Sequence, residues 1–64
     1  MYITYQVFAP AGYPCSSIHS VYGSIAEAQT LASLLLQSKY SGKGYTAIIA
    51  NGDTDEILRT LIVE

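Results

Sequence analysis

Hydrophobic and polar positions alternate at the start of the chain: Met1, Ile3, Tyr5 and Val7 share one parity, and Tyr2, Thr4, Gln6 and Phe8 the other. A period of two predicts a strand over 1–8. Pro10, Gly12 and Pro14 in "APAGYPCSS" break the pattern, so the chain leaves this strand into a loop. "IHSVY", 18–22, is short and rich in β-branched and aromatic residues, and it fits a second strand pairing back on the first. Beyond it the period changes. Ile25, Ala28, Leu31, Ala32, Leu35 and Leu36 fall on one stripe at about 100° per residue, with Glu27, Thr30, Ser33, Gln37 and Ser38 off it. Ser24 followed by Glu27 is a capping box, with the hydroxyl on one orphan amide and the carboxylate on the other, so the helix is predicted to start at Ile25. It is predicted to end near Tyr40, where Gly42 and Gly44 follow and Lys39 and Lys43 suit the negative helix end. "YTAIIA", 45–50, and "ILRTLIV", 57–63, read as strands of an antiparallel hairpin. The turn between them, "NGDTDE", has Asn51 and Gly52 as the residues best able to take positive φ.

This order predicts an α+β fold: one helix packed on a three- or four-stranded, mainly antiparallel sheet, in a single domain over 1–64. One helix covers one sheet face, yet both faces carry apolar residues. Tyr2 and Phe8 oppose Ile3, Tyr5 and Val7; Ile48 opposes Ala47 and Ile49; Leu58 and Ile62 oppose Ile57, Leu61 and Val63. A solvated face would alternate more cleanly. The second face is therefore expected to be covered by something outside this one fold, with Tyr2, Phe8 and Leu58 as contact candidates. Leu34, off the helix stripe, is another. The six tyrosines fit an interface, where they supply large stiff contact area, although strands favour tyrosine in their own right.

Composition sharpens this picture. Half of the residues are hydrophobic and 12% are charged, against an average of about a quarter charged, which excludes disorder. A domain of this length buries only about 60% of its unfolded surface, and such domains draw on disulfides, a metal or self-association. Cys15 is the only cysteine and His19 the only histidine, so neither an internal disulfide nor a four-ligand zinc site is available. That leaves self-association or a very good core, and a homo-oligomer is the expectation, with no cofactor and no metal. The apolar runs "LLL" and "AIIA" are far short of the ~20 residues that span a bilayer. "MYITYQVF" lacks the basic region of a secretory signal. A cytoplasmic protein with a reduced cysteine and no membrane contact is expected. Lys39, Lys43 and Arg59 stand against five acids, and a net charge of −2 argues against nucleic acid as a partner.

Three stretches carry candidate chemistry. "PCSSIHS", 14–20, joins a thiol, hydroxyls and the imidazole. In an extended segment Cys15 and His19 lie ~13 Å apart at ~3.3 Å per residue, whereas a thiolate and its base must meet within ~3 Å. No acid precedes Glu27 to orient the imidazole. "SGKG", 41–44, lacks the hydroxyl residue after the lysine and follows a helix instead of opening one, so it is a turn and not a phosphate loop. "NGDTDE" copies the first ligand positions of a calcium loop, but Glu56 stands where glycine is needed and Ile62 where the bidentate glutamate is needed.

The functional expectation is a small, acidic, non-enzymatic binding protein that self-associates through its sheet, by the face or the edge, and modulates or inhibits a protein partner, as an accessory regulator or a virus-encoded inhibitor does. The second expectation is an oligomeric small-molecule binder, with pockets at subunit interfaces lined by Tyr13, Tyr22, His19 and the 9–23 loop. The third is an enzyme dependent on Cys15.

Overall fold

A computed structural model describes residues 2–64 of the chain. The strands β1 (Ile3–Phe8) and β2 (His19–Val21) are followed by the helix α1 (Ile25–Ser38) and the strands β3 (Thr46–Asn51) and β4 (Ile57–Ile62). All strand pairs are antiparallel and the sheet order is β2-β1-β3-β4. The fold is α+β, one helix on a four-stranded antiparallel sheet. The short segment at 18–22 does form a strand, with Val21 opposite Ile3 and His19 opposite Tyr5. Met1, which the alternation groups with Ile3, lies outside the described residues.

The helix lies over the two central strands. Ile3 and Val7 of β1 and Ala47 and Ile49 of β3 are fully buried beneath Ala28, Ala32 and Leu36. Burying each of the larger side chains contributes about 1.5–3 kcal/mol. The two alanines, one turn apart, let the helix come close to the sheet, so the branched residues of the strands fill the layer between. Ile25 and Leu35 are half-buried at the margin of this contact. Leu31 departs from the expected stripe and is 39% exposed. At about 100° per residue it sits roughly 95° from the centre of the buried arc, where the sheet no longer reaches it.

The helix ends also differ from expectation in detail. The Glu27 N–H donates to Ser24 Oγ (3.1 Å), which is one half of the capping box. The Glu27 carboxylate does not return to the Ser24 N–H and lies against Gly23 instead. At the other end Lys39 is the cap, its N–H donating to the Leu35 carbonyl with ordinary negative φ, so no left-handed glycine closes the helix. Gly44 serves a later turn: its φ is +92°, and a side chain there would press on Pro10.

The hairpin between β3 and β4 closes differently too. Asp55, not Asn51 or Gly52, takes positive φ (62°). Asn51 Oδ1 accepts the Asp53 N–H (2.8 Å), and the Asp55 N–H donates to the Asn51 carbonyl (2.8 Å), so a helical-type bend needs only its last residue left-handed. Gly52 is required by crowding, because a Cβ there would overlap the Tyr2 ring. The β3/β4 register shifts at Ile49/Ala50: Ile49 faces Arg59, yet Ala50 faces Ile57. Leu58 is the extra residue of this bulge. Ile57 consequently leaves the parity of Leu61 and Val63 and joins the face away from the helix.

Candidate functional site

The face of the sheet opposite α1 is open. Thr4, Gln6 and Phe8 of β1, Ile48 and Ala50 of β3, and Ile57 of β4 share it, and Ile18 reaches it from just before β2. Together with Asp55 they line a shallow depression of about 180 Å³. Ile18 (63%), Ile57 (60%) and Ile62 (59%) are large apolar side chains left mostly in water. Of the residues lining the depression Asp55, at its rim, is the only charged one. Two devices of the chain build this face. The bulge at Leu58 rotates Ile57 onto it, and the register of β2 against β1 carries Ile18 to the side of Gln6.

The expected contact residues divide between surfaces. Phe8 is half-buried on the open face, and Tyr2 packs over Gly52 next to the ring of Tyr22, centroids 5.6 Å apart. Tyr22 is 83% exposed. His19 lies on the other side, stacked on Tyr5 with centroids 5.0 Å apart and planes 18° apart. Tyr13 projects from its loop into solvent, and Leu58 is half-buried in the bulge. Leu34 borders a wider trough of about 390 Å³ along the outer side of α1, whose other residues are Ala26, Gln29, Thr30, Ser33 and Gln37. Amides and hydroxyls keep that trough hydrated, so the sheet face is the more apolar of the two. Ile18, Ile57 and Ile62 were absent from the contact candidates. Ile62 was legible from alternation, whereas Ile18 and Ile57 depend on register.

The stretch 14–20 proves to be an edge closure. After Phe8 the chain turns, with the Ala9 N–H donating to the Tyr13 carbonyl (2.9 Å), and runs back along β1. Pro14 faces Phe8 and His19 faces Tyr5, so the returning segment carries extra residues at Ser16 and Ser17. Ser16 Oγ accepts the Val7 N–H (2.9 Å), and Val7's carbonyl accepts the Cys15 N–H (3.0 Å) and the Cys15 thiol (3.4 Å). Gln6 Nε2 donates to the Ser16 carbonyl (3.0 Å), and the Tyr40 hydroxyl donates to the Cys15 carbonyl (2.9 Å). The thiol is therefore turned to the β1 backbone and the imidazole to the Tyr5 ring. No hydrogen bond joins Cys15 to His19 among the described residues. Nor do three or more His, Cys, Asp or Glu side chains gather where they would hold a metal ion, among the described residues. No helix among them is long and apolar enough to cross a membrane.

No protein-family model, curated protein or solved structure matches the chain.

Proposed function

We propose that this is a non-enzymatic binding protein that self-associates through its sheet and holds a protein partner on the open face, modulating or inhibiting it. The observation that supports the reading is the uncharged centre of that face, where Phe8, Ile18, Ile48 and Ile57 surround Thr4, Gln6 and Ala50. Water gains little from contact with such a surface, and the residues that would hydrate it are few. A protein surface is a better match than a small molecule, because ligand pockets enclose about 300–1,000 Å³ and this depression is both smaller and open. The engaged thiol and the stacked imidazole support the non-enzymatic part of the reading.

The test starts from a protein enriched by the untagged chain and then purified. Its Kd for wild type is compared with those for Ile48→Lys and Cys15→Ser. Ile48→Lys places a charge at the centre of the face and is expected to raise Kd at least tenfold, whereas Cys15→Ser leaves it unchanged. Equal affinity for Ile48→Lys and wild type would remove the open face from the interaction.

A further inference from the structure

The sheet treats its two edges differently. On the β2 side the backbone of Val7, left bare where β2 stops, is closed by Ser16 and Cys15, and β2 itself is a three-residue edge strand with only Ser20 turned outward. On the β4 side no segment among the described residues covers the strand. Val63 turns its N–H to the Tyr45 carbonyl and its carbonyl to the Gly44 N–H, so it faces β3. Successive residues of an antiparallel strand point their N–H and C=O alternately to either side. Leu61 and Arg59 therefore face β3 as well, while Thr60 and Ile62 present theirs outward. The neighbouring Leu58 carbonyl is held by the Arg59 guanidinium (2.8 Å), and the bulge ends the regular edge there. What remains is a short bare edge, Thr60 to Ile62. It contains no proline and no charge, the usual protections of a free edge.

We infer that two copies of this chain join antiparallel along β4, centred on Leu61. This rests on the self-association proposed above and names its site. With Leu61 opposite the partner's Leu61, each outward N–H and C=O of Thr60 meets its complement on the partner's Ile62, and the reverse. Charge selects the direction. Arg59 precedes the bare edge and Glu64 follows it, so antiparallel pairing sets Arg59 beside the end of the strand that carries the partner's Glu64. Parallel pairing would set Arg59 against the partner's Arg59. The twofold axis of such a pair stands perpendicular to the sheet, which puts both helices on one side and both open faces on the other. The consequence for binding is direct. A standard interface takes about 800 Å² from each partner, a large share of the 3979 Å² that one copy exposes in total. Two open faces side by side supply it more readily than one.

The experiment is native mass spectrometry of the untagged protein over a concentration series, with Thr60→Pro alongside. Proline removes one outward N–H and leaves the bonds of Arg59 and Leu61 to β3 in place, which edge strands tolerate. Wild type is expected to dimerise, and Thr60→Pro to raise the dissociation constant at least tenfold with an unchanged circular dichroism spectrum. In a Cys15→Ser background, Leu61→Cys is expected to form a disulfide-linked dimer on mild oxidation, since directly opposed residues place their Cβ atoms about 4.5–5.5 Å apart. Should Thr60→Pro not fold, this cross-link decides, and its absence overturns the proposal. A Thr60→Pro dimer as strong as wild type also overturns the edge. If Ile48→Lys dissociates that dimer, self-association stands and moves to the open face. A wild-type monomer at every concentration overturns both.

Discussion

Ser16 accepts the Val7 N–H and donates its own proton to the Ser17 carbonyl (3.0 Å), so one small side chain ends the edge of β1 where β2 stops. Val7 is fully buried, and its amide loses its partner once that hydroxyl is gone. A buried unpaired donor costs about 1–3 kcal/mol. Ser16→Ala is therefore expected to lower unfolding free energy by about that amount in urea titrations. Ser17→Ala, at an exposed position that contributes only its backbone here, is expected to change it little. Equal effects of the two would show that the Ser16 hydroxyl does not hold the edge. Cys15 belongs to the same closure: its thiol and its amide both turn to the Val7 carbonyl, and its own carbonyl takes the Tyr40 hydroxyl. Of the residues that looked most like chemistry, Cys15 holds backbone and His19 stacks on a tyrosine ring.

Among the elements, α1 shows how a local signal divides between two residues. Ser24 makes its bond to the Glu27 amide, whereas the Glu27 carboxylate stands near the positive helix end without completing the box. Ser24→Ala is expected to cost about 1 kcal/mol at any ionic strength. Glu27→Gln removes only the interaction with the helix dipole, roughly 0.3–1 kcal/mol, which salt screens. Thermal melts of both variants at low and high salt separate the two: the Ser24→Ala cost persists at high salt and the Glu27→Gln cost fades, and a Glu27→Gln cost that persists would show that the charge does not act through the helix dipole. In β4, the bulge at Leu58 changes the surface more than any cap does. Without that extra residue Ile57 would fall on the helix side with Arg59 and Leu61, and the open face would lose one of its exposed apolar side chains.

For the whole molecule, layer count governs behaviour. A helix and a sheet bury one face of each, and the second sheet face keeps its isoleucines in water unless another surface meets it. Association stabilises the folded state by mass action, so a self-associating chain melts higher as it is concentrated. The midpoint of thermal unfolding is expected to rise with protein concentration for wild type and to be independent of it for Thr60→Pro. A midpoint that is flat for wild type across a hundredfold range would count against self-association altogether.

By itself the sequence determined the elements and the fold class. Alternation over 1–8, the change of period at Ile25, the Ser24 cap and the turn after β3 are properties of neighbouring residues on one piece of backbone, and local geometry is enough to produce them. The presence of apolar residues on both sheet faces was legible for the same reason. Tertiary structure decided which face meets the helix, because that depends on Ala28 and Ala32 bringing α1 close to Ile3, Val7, Ala47 and Ile49. Register was its decision as well. The bulge at Leu58, the extra residues at Ser16 and Ser17, and the placing of Ile18 and Ile57 on the open face all follow from strands paired across the chain, and one residue of slip moves a side chain to the opposite face. Alternation along one strand states which residues share a face, and only the partner strand states where that face points.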